Sequence, residues 1–376
     1  MNEREIAEIR RRFRPDRNNI THVRGCYVNE QREIVSEFYQ SVALLPQTES
    51  EELLATLKKT LSGTLGKNLI DLTFQTRQVA EGQEHKLLMA LRNSSLHDKD
   101  TLHTFYQKVI AALSLEGSYM ILLTCDTYDV PYKGKDGEEF SDGSDEVYNY
   151  ILCAVCPVKL TKPALTFHAH ENAFCRLSVD HMVSAPQLGF LFPAFDDRST
   201  NLYNALYYCK DAGDNHKEFV DAVFNVPILM PAKAQKESFE TLLGDTLEDE
   251  CSYQVVQAVQ DHLCSTIAAH KEAKIREPLT ICKSTVRQIL TDCGVSDQRT
   301  RTFSEKYDEV FGEDTALSPR NLVDTKQTQL ATPDVKIQVN PQRGDLVQMR
   351  VINGERCIVI RAEEGVEVNG VPVHIS

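Results

Sequence analysis

Several groups of residues have types and spacings that suit chemistry. The first is basic. Arg10, Arg11, Arg12, Arg14 and Arg17 are crowded together, and Arg24 lies just beyond them. Guanidinium groups gathered in one place neutralise phosphates, in a contact that is indifferent to base sequence and weakened by salt. The plainer reading is a solvated helix face, because Glu8 stands at helical offset from Arg4, Arg11 and Arg12 and can pair with any of them. The second group is acidic. Asp196 and Asp197 follow an apolar run and, with Asp126 or Asp129, supply the carboxylates that a divalent ion needs for phosphoester hydrolysis. Asp, Ser and Thr are equally the residues of turns and helix caps, which fits Asp196–Thr200 just as well.

The third group is Cys153-Ala-Val-Cys156, with His168, His170, Cys175 and His181 downstream. A Cys-x-x-Cys pair holds a metal or a redox disulfide when it sits on a turn or a helix start. Here it lies inside an apolar run, where a strand points positions three apart to opposite faces, so one ion cannot reach both sulfurs. Gly63-Thr-Leu-Gly-Lys67 resembles a phosphate loop only superficially. Its glycines enclose two residues where such a loop has four, and Asn68 stands in the place of the magnesium-binding hydroxyl. Asp136, Glu138, Glu139, Asp142, Asp145 and Glu146 form an acidic loop without the calcium-binding spacing of an EF-hand. It reads as a solvated hairpin loop, or as a surface for a basic partner protein. No metal or other cofactor is expected from any of these groups.

The elements that position these residues follow from periodicity. Ile6, Ile9 and Phe13 recur at helical spacing, and Pro15 stops the helix. Ile20–Val28 and Glu33–Tyr39 make a hairpin with its turn at Asn29–Arg32. Leu53, Leu54, Leu57 and Leu61 line a helix from Thr48 to Leu61, with Thr48 and Glu51 as a capping box. A strand over Asn68–Phe74 and helices over His85–Leu91 and Asp98–Leu113 come next. Tyr119–Cys125 and Val147–Pro157 read as two strands covered on both faces, joined by the acidic loop. Ser184–Phe195 contains a third apolar strand. Asn201–Tyr208 fits a strand or a helix start, and Tyr203, Tyr207 and Tyr208 there suit core packing or a base-stacking platform.

Beyond Pro227–Lys233 the pattern changes to helix, from Ala234 to Gly312. Lys283–Phe311 has a helix-turn-helix outline, but Asp297, Glu305, Asp308 and Glu309 offset its Arg299, Arg301 and Lys306. From Asp334 the pattern changes again, to short strands over Asp334–Val339, Leu346–Ile352 and Glu355–Arg361. Asn353-Gly354 and Asn369-Gly370 serve as hairpin turns. Leu317–Thr332 reads as a polar link. The expected class is α+β: a mixed sheet with covering helices over 1–230, a helical region over 231–316, and a polar link with a small β unit over 317–376.

Composition narrows the function classes. The chain has 376 residues with 41% hydrophobic and 26% charged, enough for packed cores. No run of roughly eighteen apolar residues marks a membrane span, and the charged opening lacks a secretory h-region, so a cytoplasmic location is expected. Eleven scattered cysteines read as free thiols of a reducing compartment. The net charge of −14 is uneven. Residues 1–32 hold eight Arg against five acids, whereas 231–376 hold 17 basic against 23 acidic residues. The opening segment is net positive on an acidic chain.

Two resemblances add to this. Arg24-Gly25-Cys26-Tyr27-Val28-Asn29-Glu30, Leu61–Ile70, Tyr128-Asp-Val-Pro-Tyr-Lys133, Phe192–Thr200 and Leu317–Asp324 resemble the uncharacterised bacterial family called domain of unknown function 4317, over nearly the whole chain. That family carries no established activity. In layout the chain also resembles the bacterial nucleoid-associated family typified by YejK. The likeness runs through two central strands, Ala232-Lys-Ala-Gln235 opening a helical stretch, an acidic helix like Phe303–Phe311, and closing strands around Val368-Asn-Gly-Val371. That resemblance implies association with DNA and no known reaction. The resulting expectation is a non-catalytic DNA-associated protein using Arg10, Arg11, Arg12, Arg14, Arg17 and Arg24. The alternatives are a metal-dependent hydrolase using Asp196 and Asp197, or a protein–protein adaptor.

Overall fold

The continuous apolar run Ile151-Leu-Cys-Ala-Val-Cys156 is a strand buried on both sides. Ile151, Cys153 and Val155 enter one hydrophobic cluster, and Leu152, Ala154 and Cys156 enter another. A strand that alternates between two dry faces has no polar period, which is why it reads as uniformly apolar. A computed structural model describes residues 1–133, 139–161, 164–168, 170, 172–177, 180–273, 279–313, 315–325, 327–362, 365–368 and 371–373. The chain divides into two compact units, Met1–Ala232 and Lys233–Ser376.

The first unit opens with helix α1 (Glu3–Arg12), the hairpin β1 (His22–Val28) and β2 (Ile34–Ser41), then α2 (Gln47–Lys58) and β3 (Leu69–Thr73). Helices α3 (Thr76–Glu81), α4 (Gln83–Asn93) and α5 (Lys99–Ala112) lead to the long pair β4 (Tyr119–Lys133) and β5 (Glu139–Leu160). There follow β6 (Ala164–His168), β7 (Ala173–Leu177), β8 (His181–Val183), β9 (Leu188–Phe192), β10 (Ala194–Asp196), β11 (Ser199–Asn201), β12 (Asn204–Cys209) and α6 (Lys217–Val223). One sheet runs in the order β2-β1-β4-β5-β9-β12-β3, with β8 added to β5, and its strand pairs are antiparallel. Leu88, Leu91, Phe105, Val109, Phe219 and Val220 of α4, α5 and α6 cover one face. Ile6, Ile9, Leu54 and Leu57 of α1 and α2 cover the other. The expected α+β class is therefore what the structure shows.

Three details differ from the sequence reading. Strands β4 and β5 have 15 and 22 residues and pair well beyond the expected strands, out to Lys133 and Glu139. Pairing slips at Pro131, where a bulge tolerates the missing N–H. Gly and acidic residues fill this stretch, so apolar spacing does not mark it as strand. Helix α2 begins at Gln47 behind Pro46 with no side-chain cap, one residue ahead of the expected Thr48. Finally, the tyrosines after Asn201 form no platform. Tyr207 and Tyr208 alternate across β12 into opposite cores, and Tyr203 alone is exposed. The tip of the acidic loop, 134–138, and the side chains of 139–145 lie outside the described residues.

The second unit contains α7 (Ala232–Leu247), α8 (Tyr253–Glu272), α9 (Lys283–Asp292), α10 (Asp297–Phe311) and the short α11 (Pro319–Leu322). Gly294, at φ 83°, ends α9, and the Ser296 hydroxyl accepts from Arg299 N to cap α10. Arg299 is held by Glu248 and Asp249, at 2.7 and 3.3 Å. The pair α9–α10 is thus packed structure, with Phe303, Tyr307 and Phe311 buried. Leu317 and Leu322 are also buried and Ile281 bridges Leu317, so the expected polar link carries packed structure. Hairpins β13 (Thr328–Ala331) with β14 (Lys336–Val339), β15 (Val347–Ile352) with β16 (Glu355–Ile360), and β17 (Val366–Val368) with β18 (Val371–Val373) complete the chain. Asn353 and Gly354 both have positive φ, as the expected hairpin turn requires. Asn369-Gly370 lies outside the described residues.

Candidate functional site

The basic cluster is set by how α1 lies on the sheet. Its capping box is complete: the Asn2 side chain accepts from Arg4 N and Glu5 N, and Glu5 Oε2 accepts from Asn2 N at 2.8 Å. Ile6, Ile9 and Phe13 are buried, which fixes the rotation of the helix and hence the direction of each arginine. Arg12 points inward. Its Nε lies 3.1 Å from Asp126 Oδ2, and its guanidinium carbon sits 4.8 Å from the Tyr128 ring centre. Asp126 is almost wholly buried and also accepts from Asn19 N at 2.8 Å and from the Tyr150 hydroxyl at 2.9 Å. The Tyr128 hydroxyl donates to Glu8 at 2.8 Å, and Arg198 pairs with the same carboxylate at 3.0 Å. Burial, and then the neighbouring Asp126 charge, hold the Tyr150 phenol well above its ordinary pKa, so it stays a donor.

The remaining arginines divide. Arg11 and Arg14 are exposed, Arg10 is half-buried, and no ion pair to these three occurs among the described residues. Arg17 is exposed and 3.7 Å from the equally exposed Asp16. Arg24 is not brought to this group. It rises from the opposite face of the sheet, where Nε donates to Leu96 O at 3.1 Å and the guanidinium carbon lies 4.3 Å from the Tyr39 ring centre. Arg10 and Arg11 stand in the last turn of α1, and Arg14 and Arg17 in the turns that follow it. The structure commits Arg12 to Asp126, and it separates Arg24 by the thickness of the sheet.

The carboxylates considered for metal binding are not brought together: Asp126 and Asp196 have other partners, and among the described residues Asp197 and Asp129 form no group of three with them. Asp196 lies 2.6 Å from the Met1 amine and accepts from Asn201 Nδ2 at 2.7 Å. Asp71 shares that amine at 3.1 Å. Asp197 occupies a turn at φ 49°, with its N–H donating to Glu5. Asp126 serves Arg12, and Asp129 is exposed. Among the described residues no three of His, Cys, Asp or Glu come together as a metal ion requires. Cys153 and Cys156 enter opposite cores. Burial pushes the Cys153 thiol well up and the Cys156 thiol up to about 12. The side chains of His168 and Cys175 lie outside the described residues. Sequence reading missed the partners of Arg12, because the acceptor stands 114 positions away.

The fold is α+β, with a two-faced antiparallel sheet in the first unit. The family described as Domain of unknown function (DUF4317) matches residues 1–371, and the chain belongs to that family. No curated protein matches it. Among the described residues no helix is long and apolar enough to cross a membrane.

Proposed function

We propose that this protein associates with duplex DNA without catalysing a reaction on it, through Arg10, Arg11, Arg14 and Arg17. The observation that carries this reading is the exposure of Arg11, in the last turn of α1, and of Arg14, just past its end, with no carboxylate partner among the described residues. The resemblance in sequence layout to the nucleoid-associated family points the same way. Arg12 contributes by seating α1 on the sheet, and Arg24 is outside the surface. Contact is to phosphates, since nothing in the cluster has the shape of a groove-reading helix.

Gel-shift titration across salt tests this. Four phosphate contacts give a slope of log affinity against log salt of roughly −3 to −4. Replacing the four arginines by Ser abolishes the shift, and replacing Arg24 leaves it unchanged. No shift at low salt, or an undiminished shift with the quadruple variant, removes the proposal.

A further inference from the structure

The large sheet ends in an open strand. Among the described residues β2 pairs only with β1, in a register that sets Arg24 opposite Tyr39 and Cys26 opposite Glu37. Val42 N donates to Thr21 O, so the alternation of an antiparallel ladder turns Ser36, Phe38 and Gln40 toward β1. The N–H and C=O groups of Glu37 and Tyr39 consequently face outward, and no backbone partner for them occurs among the described residues. Natural edge strands are blunted with charges, Pro, bulges or shortness. Strand β2 has eight residues, Ile-Val-Ser-Glu-Phe-Tyr-Gln-Ser, with neither Lys nor Pro; its one charge is Glu37, and its register slips once, at Val35, leaving Ser36–Ser41 as a regular open edge. In this strand Ile34 and Phe38 are half-buried against the cores, while Val35 is 59% exposed, Tyr39 51%, and Leu44 just past the strand 82%. Beside it a groove of about 460 Å³ is lined by Arg32, Ile34, His103, Gln107, Ile110 and Ala111.

We propose that β2 is a self-association edge, at which two copies of this chain join antiparallel about a two-fold axis through Phe38. Outward-facing residues bond to outward-facing residues, so Glu37 pairs with the partner's Tyr39 and Tyr39 with the partner's Glu37. Charge complementarity selects a second copy as the occupant. Glu37 Oε1 lies 2.7 Å from His103 Nδ1 of its own chain, and Arg24 lies over the Tyr39 ring; this register sets each Glu37 carboxylate on the same sheet face as the partner's Arg24, one strand beyond Tyr39, twice by symmetry. The shift that would pair Glu37 with its own copy is disfavoured by like charge. The same register carries each exposed Leu44 toward the partner's Arg32–Ile34 end, where the groove has an apolar wall. The inference is independent of the DNA reading, which uses the far end of α1.

Light scattering on the full chain over a range of concentrations, with disulfide trapping, tests the arrangement. The wild-type chain shows twice the mass of one chain. Glu37→Lys, which also breaks the part-exposed contact with His103, raises the dissociation constant about tenfold or more, whereas His103→Gln, which removes that contact and keeps the carboxylate, does not. In the proposed register Ser36 stands opposite the partner's Gln40, in a close pair with Cα atoms roughly 4.5 Å apart, within disulfide reach. Ser36→Cys combined with Gln40→Cys therefore yields a covalent dimer under mild oxidation, above the background of either single variant. A wild-type chain that stays monomeric overturns the proposal and leaves the edge to a peptide of another protein. An unchanged mass for Glu37→Lys, or a double variant that cross-links no better than the single ones, overturns it as well.

Discussion

The guanidinium of Arg12 lies 3.1 Å from the carboxylate of Asp126, which is 3% exposed and receives two further hydrogen bonds, from Asn19 N and the Tyr150 hydroxyl. This one contact decides which arginines of the cluster belong to the fold and which to the surface. Removing one partner of a buried pair leaves the other charged and unsatisfied, at a cost of about 3–5 kcal/mol.

Asp126→Ala is accordingly expected to lower unfolding free energy by about 3 kcal/mol, because it strands Arg12, Asn19 N and Tyr150 together. Arg11→Ser, on the exposed side of the same helix, is expected to change it by under about 0.5 kcal/mol. Urea melts of the two variants check the contrast, and equal effects would contradict the inward placement of Arg12.

His22 supplies a pH dependence. It is buried, stacks on Tyr39 at 4.9 Å and meets His97 edge-on at 5.1 Å. Burial, then the charges of His97 and Arg24, hold its pKa below the ordinary 6.5. The folded state therefore favours the neutral ring. Below the unfolded-state pKa the unfolded chain binds the extra proton. The contribution is complete above about pH 6.5 and is lost as pH falls through the folded-state value. The urea midpoint of the wild type should drop more between neutral and mildly acid buffer than that of His22→Gln.

Cys282 should be the fast-reacting thiol among the described cysteines. It is half-buried at the start of α9, with Sγ 2.9 Å from the Ser284 hydroxyl and 3.6 Å from that of Thr285. Those hydrogen bonds, Ser284 first, lower its pKa to about 7, whereas burial pushes Cys26 up to about 12 and Cys125 up to about 11. Since the thiolate is the nucleophile, the alkylation rate at Cys282 should reach half its maximum near pH 7. Ser284→Ala should move that midpoint upward, as read by mass spectrometry of iodoacetamide-labelled peptides.

Gly189 should tolerate no side chain. A Cβ there would lie 2.2 Å from the Cys153 carbonyl oxygen and 2.8 Å from Thr60 Cγ2, on two elements with no room to withdraw. Gly189→Ala is expected to cost about 2–3 kcal/mol by overpacking. Gly244, whose added Cβ would meet nothing within 4 Å, provides the control. Gly244→Ala in mid-helix should stabilise by about 0.5–1 kcal/mol in the same denaturation assay.

The sequence by itself determined what rests on neighbours along the chain. Ile6, Ile9 and Phe13 marked the buried stripe of α1, the apolar run 151–156 marked a strand covered twice, and Asn353-Gly354 marked its turn. Each is a local matter of backbone preference and apolar period. Only the tertiary structure decided which arginines remain in water. Arg11 and Arg12 are adjacent and identical in type, yet the helix rotation imposed by the core sends one to solvent and the other to a carboxylate on β4. Arg24 follows closely in sequence but emerges on the other face, because alternate residues of a strand point opposite ways. The partners of charged side chains are chosen by contacts remote along the chain, and composition and spacing hold no record of those.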